Sequence, residues 1–537
     1  LTPVIYSCVV EPQPKYVRQL RIWATTLCTL GGAAPGDLFV HVLDGDRFDE
    51  VAAFLSARAI PFAPMERFGD GRYCNKVAQL RSPQLRERAY AALCDTDVAF
   101  AAPLDPWLGL GRAAAKPVDG PNPPLELLER LYRRAGFDRF PEHVRCSNSP
   151  QLTFAGNCNG GLYLLRSDLI AELAPRWEKW TLWALAQTEL LGRHVTHADQ
   201  LGFGLAMWEL GEPVAALPAA ANFPLHFGLH RYDSPVEPPA LLHFHDRVGV
   251  DGRLKTLGIP AVDARVRAVN DALDADERER ATAGLLRVET VFGPMLAYPD
   301  DVVTRQLVEF GAHTRPELAF LLSIVRDGDR IFDLGAHIGT FAVPLARRAG
   351  PTGRVVAVEA VRDFLLVAAE NAALNGLSER IELRCALVAP SDRYEAVHDR
   401  ANTGATFFQA AGDAWPGEVV TIDALAAQTF VPDLIKIDVE GLEAWALTTS
   451  AVVRERKPVL YAEISARQLA RSGASAAGLG DALRALGYRL FRNAGPRNAA
   501  HDRFEAVELD ALGDEPRLYD VLAIHRDDDR GGGFAPG

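Results

Sequence analysis

The 537-residue chain is short of lysine: its 57 basic residues are 7 Lys and 50 Arg. A GC-rich genome accounts for that skew, because arginine codons are GC-rich. Positive charge as a whole is also scarce, 57 basic against 70 acidic residues, for a formal charge of -13. A protein whose main task is gripping a phosphate backbone is usually basic or carries a basic stripe, and neither is visible. Nucleic acid is therefore not expected as the main partner. No apolar run approaches the roughly 18 residues of a membrane span. The first apolar run, Pro3 to Val10, lacks the basic flank of a signal peptide, and the chain begins at Leu1 and not Met, as a trimmed chain does. The seven cysteines form no CxxC pair, and several lie inside apolar runs such as YSCVV and YAALC. Buried free thiols in a reducing, cytoplasmic setting are expected, with neither a disulfide frame nor a zinc site.

What remains is ordinary globular usage, 48% hydrophobic and 24% charged, which excludes disorder and collagen. The length allows two to four domains. Short apolar runs (PVIYSCVV, DLFVHVLD, YAALCDTDVAF, GGLYLLR) alternate with longer amphipathic stretches over residues 1–258. A Pro- and Gly-rich interval, Lys116 to Gly156, reads as loop with one short helix around Leu125 to Ala135. Residues 259–284 are charged and helical in pattern, and predict a solvated connector. A second alternation, 285–528, contains DRIFDLG, GRVVAVEA, RIELRCALV, DLIKIDVEG and PVLYAEI, the pattern of a parallel sheet covered on both faces. Residues 529–537 read as a flexible tail.

In the first half, Asp95 and Asp97 flank Thr96 between two apolar runs. A leaving nucleoside diphosphate needs its charge neutralised, and two carboxylates just past a strand end can hold an oxygen-ligated divalent cation against it. Asp-x-Asp alone is a weak signal, since it occurs five times in the chain. Around it stand Asn75-Lys76, Asn159-Gly160-Gly161, His197-Ala198-Asp199-Gln200 and Leu242-His243-Phe244-His245. Taken singly, each of these reads as a cap, a turn or a satisfied histidine. Together and in this order they resemble the GT-A glycosyltransferases, most closely the retaining enzymes of the glycogenin and galactinol synthase type. That resemblance implies Asp95, Asp97 and His243 at the metal (Mn²⁺ or Mg²⁺), with His245 as the substitute imidazole. It implies Lys76 and Lys255 near the phosphates of a UDP- or GDP-sugar and Pro3 to Cys8 along the base. It places Asn159, Gly160, Asp199 and Gln200 around donor sugar and acceptor. The chain departs from that family's terminal glycine-lysine-proline-tryptophan segment, for His243 is followed by FHDRVGVDGRLK.

In the second half, Ile331 to Gly339 (IFDLGAHIG) reads as a strand turning into a helix through a glycine loop. Gly335 permits the turn, Gly339 completes the loop, and Asp333 would sit near the ammonium of S-adenosylmethionine. Glu359, ending the next strand, is placed to accept ribose hydroxyls, a logic shared with dinucleotide folds, so an NAD enzyme stays open on spacing alone. Asn402-Thr403-Gly404, Thr421-Ile422-Asp423, KIDVEG from Lys436, and PVLYAE ending at Glu463 resemble the FkbM methyltransferases. That resemblance implies S-adenosylmethionine-dependent O-methylation of sugars or other secondary metabolites, with Asp333, Gly335, His337, Gly339, Glu359 and Asn402 on the cofactor. His337 stands where that family usually has Asn. A sugar hydroxyl needs a base or a metal to make it nucleophilic. Asp438 is the expected base or metal ligand, with Glu440 and Glu463 in support.

The expected fold is α/β in two domains, a GT-A-like nucleotide-sugar transferase followed by a Rossmann-like class I methyltransferase. The expected function is bifunctional: sugar transfer plus O-methylation of a sugar hydroxyl in a glycan or glycoconjugate. The alternatives are that one half only binds glycan or nucleotide and recruits the other, or that a secondary metabolite is methylated.

Overall fold

The computed structural model describes residues 3–232, 236–249, 251–397, 407–410, 415, 417–513, 515 and 518–534. They form two compact units, Leu1–Asp276 and Glu277–Gly537. In the first, Val4–Val10, Leu38–Leu43 and Tyr90–Cys94 are buried along almost their whole length. Continuous rather than alternating apolar strands are what a sheet covered on both faces requires. The sheet runs Val214–Ala216, Ala113–Pro117, Cys158–Arg166, Tyr90–Cys94, Val4–Val10, Leu38–Leu43, Phe62–Met65. All are parallel except Cys158–Arg166, which is antiparallel to both neighbours. One face packs on Leu173, Trp177 and Phe203, the other on Leu20, Trp23 and Leu27.

A smaller sheet joins Phe223–Pro224, Leu241–His243 and Val98–Phe100. Its register sets His243 opposite Val98, and the Phe244 N–H donates to the Asp97 carbonyl at 2.9 Å. That antiparallel pairing carries a histidine from 146 positions downstream to the Asp-x-Asp turn.

The second unit is a nine-stranded sheet in the order Glu418–Val420, Ile381–Val388, Arg354–Glu359, Arg330–Leu334, Leu434–Ile437, Val459–Ile464, Tyr519–His525, Tyr488–Asn493, Ala506–Leu509. The first six are parallel, and Tyr519–His525 is antiparallel to both its neighbours. Strand order reverses between Arg330–Leu334 and Leu434–Ile437, the switch point where a doubly wound sheet opens a crevice at its carboxyl ends.

Three segments differ from the sequence expectation. The expected solvated connector is one helix, Pro260–Thr282, whose Val262, Val266, Val269 and Leu273 are buried with Ile22, Phe223, Leu242 and Phe244. Valines at helical spacing suffice to make an apolar stripe, even without the large side chains the pattern lacks. The expected loop 116–156 contains, besides its helix Leu125–Arg134, a hairpin of His143–Arg145 with Leu152–Phe154. The expected flexible tail is anchored as far as Phe534. Arg530 pairs with Asp329 at 3.0 Å, and Phe534 packs on Phe320 and Phe491. The seven cysteines are free, as expected, and no helix among the described residues is long and apolar enough to cross a membrane.

Substituting Val266→Asp puts a charge into this packed stripe and is expected to cost about 3 kcal/mol or more. Urea unfolding of the full chain followed by tryptophan fluorescence reads this, since six of the eight tryptophans precede Asp276. The exposed control Glu279→Ala should leave the curve unchanged.

Candidate active sites

The first site lies past the end of Tyr90–Cys94. Asp97 accepts from two imidazoles, His243 Nε2 at 3.3 Å and His245 Nδ1 at 3.4 Å, and the two rings stack with centroids 3.9 Å apart. Burial pushes Asp97 up, but the two imidazoles outweigh it and hold its carboxyl well below the usual carboxylate range. His226 lies edge-on to His245 at 4.1 Å. Asp95, expected beside Asp97 on a metal, turns instead to Lys76. That buried ammonium also donates to the Gly160 carbonyl at 2.6 Å. Burial alone would lower Lys76, and Asp95 and Asp199 reverse this so that it stays charged. Asp199 opens the helix Ala198–Leu210, and burial raises its carboxyl to about 6. A side chain at Gly160 would press on Lys76 Nζ and Gln200 Nε2, so Gln200 belongs to the same group. At Gly161 a Cβ would stand 2.6 Å from His243 Nδ1, a close approach that only glycine allows.

Asn159 is held from three sides. It donates to Asp119 at 2.8 Å, while its oxygen accepts from the Gly161 N–H and Asn222, each at 2.9 Å. Asp119 is in turn paired with the fully buried Lys116 and accepts from Ser147 at 2.9 Å. Sequence reasoning missed Lys116, Asp119, Asn222 and His226. Scarcity was the available signal for Lys116, since a lysine kept in an apolar run of a lysine-poor chain stands out. Lys255 is exposed, and no hydrogen bond or ion pair among the described residues joins its side chain to this group. Its loop pairs back on itself through the Lys255 N–H to the Arg247 carbonyl, 2.9 Å.

The second site is a cavity of about 310 Å³ at the switch point. Gly335, His337 and Glu359 line one part, and Asp438, Glu440, Glu463 and Arg497 another. Gly335 has φ +78, and a Cβ there would overlap the Asp438 carbonyl oxygen. Glu359 accepts from the His337 N–H and the Val361 N–H, both at 2.8 Å, which locks the loop against the second strand. His337 has φ +48, and burial lowers its imidazole to about 4, so the ring is neutral at physiological pH. Asp333 does not reach the cavity. It is wholly buried and paired at 3.2 Å with Lys436, which also donates to the Gly335 carbonyl at 2.8 Å. Gly339 shapes the turn behind the cavity without lining it, and Asn402 lies outside the described residues.

Asp438, Glu440 and Glu463 offer oxygens within 4.8 Å of one another, close enough to share a proton or a cation. Burial and then Glu463 raise Asp438 well above its usual range, and burial and then Asp438 raise Glu440 to about 10. Glu440 has φ +54 and accepts from Gln468. Arg497, from the loop after Tyr488–Asn493, pairs with Glu463 at 2.5 Å and Asp520 at 2.9 Å. No motif marked Arg497 or Gln468 in the sequence.

Residues 333–490 match the methyltransferase FkbM domain. A curated relative, 23S rRNA (uracil(1939)-C(5))-methyltransferase of Psychrobacter arcticus, is 42% identical over 62 residues, 12% of this chain and 12% of that protein. The chain thus spans about an eighth of that relative's length. Among solved structures, mouse xyloside xylosyltransferase 1 covers 44% of this chain and 96% of its own at 14% identity and a TM-score of 0.31. An O-methyltransferase of Thermotoga maritima, SAM-dependent by its description, covers 44% of this chain and 68% of its own at 17% identity and a TM-score of 0.22. The chain carries an FkbM methyltransferase domain and is an enzyme.

Above the ordinary carboxylate range near 4 the unfolded chain gives up protons that Glu440 keeps until about pH 10, so this group makes stability fall as pH rises between those limits. Glu440→Gln removes the effect. Its melting temperature relative to the unsubstituted chain should gain at least about 2 °C between pH 5 and pH 8. A constant difference across that range would contradict the raised carboxyl.

Proposed function

We propose that the chain is a bifunctional enzyme, its first unit transferring a sugar from a nucleotide-sugar donor and its second methylating a hydroxyl, that of a sugar in a glycan or glycoconjugate. The observation that carries the second half is the convergence of three carboxylates on the cavity of an FkbM domain, at the ends of the strands Leu434–Ile437 and Val459–Ile464. The cavity suits S-adenosylmethionine: Gly335 lets its loop pack on the Asp438 backbone at the cavity wall, and Glu359 lies at the second strand's end for a ribose. When bound, that cofactor supplies an activated methyl group. Asp438 accepts the proton of the attacking hydroxyl. Its raised carboxyl makes it a stronger base than an ordinary aspartate, which suits proton transfer near neutral pH. Glu463, held by Arg497, and Glu440 fix the geometry of that exchange.

For the first half the support is the Asp97–His243–His245 group next to the Lys76–Asp95 pair, gathered past the end of the strand Tyr90–Cys94. Such a donor set suits a divalent cation able to neutralise a departing diphosphate. Asn159, Asp199 and Gln200 stand beside it as candidates to hold the sugar.

The full chain incubated with Mn²⁺ and a panel of UDP- and GDP-sugars should release nucleotide from one donor in preference. Asp97→Asn should lower that release by about 100-fold. Calorimetric titration should show S-adenosylmethionine binding, with Asp438→Asn lowering methyl transfer about 100-fold and changing cofactor affinity less than about threefold. Failure of every donor removes the sugar-transfer half. Failure to bind the cofactor, with NAD bound instead, removes the methyl-transfer half.

A further inference from the structure

We propose that His245 joins Asp97 and His243 in a cation site of two imidazoles and one carboxylate, that Asp95 stands outside it, and that the site takes a late first-row divalent ion such as Co²⁺ or Zn²⁺ in preference to Mg²⁺. Its use in sugar transfer rests on the function proposed above; its existence as a metal site does not.

Distance is the first argument. One Asp97 oxygen lies 3.3 Å from His243 Nε2 and the other 3.4 Å from His245 Nδ1, so the carboxylate faces both rings at separations long for charge-assisted hydrogen bonds. One ligand atom from each of the three residues falls within 4.8 Å of the others.

Donor chemistry is the second. Imidazole nitrogen suits zinc, cobalt and iron, whereas Mg²⁺ selects oxygen and keeps its waters. Among the described residues His243 Nδ1 and His245 Nε2 have no hydrogen-bond partner, so each ring is oriented toward Asp97 alone.

The third argument concerns Asp95. Its carboxylate neutralises Lys76, which is buried and has the Gly160 carbonyl as its other acceptor. Drawing Asp95 onto a metal would leave that ammonium buried without its ion pair, a change that costs several kcal/mol. The second imidazole thus fills the place that the first aspartate of the Asp-x-Asp turn would otherwise take. His245 reaches it because the backbone turns left-handed there, φ +48, directly after the strand that positions His243.

Full-length protein stripped with chelator and titrated with Co²⁺ should show one ion per chain with a visible d–d absorption band, undisturbed by a 100-fold excess of Mg²⁺. His245→Ala and His243→Ala should each weaken Co²⁺ binding at least tenfold, and Asp95→Asn by less than threefold. Melting curves without metal show which variants are folded. In the unsubstituted protein, protection of His245 from diethyl pyrocarbonate by Zn²⁺ gives the same answer without any substitution. Displacement by Mg²⁺, loss of binding in Asp95→Asn with His245→Ala unaffected, or an unprotected His245 would each overturn the proposal. Metal binding with no donor hydrolysed would leave this site standing and remove the sugar-transfer reading alone.

Discussion

A buried ammonium set against an aspartate at a strand's end organises each half. Lys76 holds Asp95 and the Gly160 carbonyl, tying Tyr90–Cys94 to its antiparallel neighbour Cys158–Arg166. Lys436 holds Asp333 and the Gly335 carbonyl, tying two adjacent parallel strands across the switch point. Both ammonium groups are buried, so neither lysine is tolerable without its aspartate, and the geometry around them is correspondingly fixed. The functional side chains hang on that geometry. Asp97 is two residues past Asp95, and Asp438 is two residues past Lys436. Each lies just beyond the end of a strand, Tyr90–Cys94 or Leu434–Ile437, where the anchored residue fixes how the chain leaves the sheet.

Both sites also sit on backbone that ordinary residues avoid. His245, His337 and Glu440 are non-glycine residues in the left-handed region, and each belongs to one of the two sites. Such conformations persist where the surroundings over-determine them. The surroundings are identifiable: a strand ending at His243, a Glu359 carboxylate on the His337 N–H, and Gln468 on the Glu440 side chain.

The elements were legible because their apolar runs are continuous, as doubly covered strands must be. The Asp-x-Asp turn, the glycine loop and KIDVEG were legible because each is local in sequence. Contacts that depend on register or on a loop's return were not. His245 lies two residues past the short strand Leu241–His243, and nothing in its neighbours announces φ +48. Arg497 reaches Glu463 from a loop 34 positions away, and Asp119 reaches Asn159 from 40. Asp333 was placed at the cofactor because it precedes the glycine loop. Lys436 on the adjacent strand turns it inward, a pairing that only the sheet order reveals. The connector was read as solvated because three valines and a leucine at helical spacing weigh little against a charged composition.

Lysine and arginine codons can differ by a single base, so a genome rich in G and C presses steadily from one toward the other. At Lys76, Lys116 and Lys436 that step would keep the charge and change the shape. A planar fork needs room that a point charge on a slim stem does not, and these three side chains are buried. Packing volume, more than electrostatics, therefore defines where such drift has to stop in this chain.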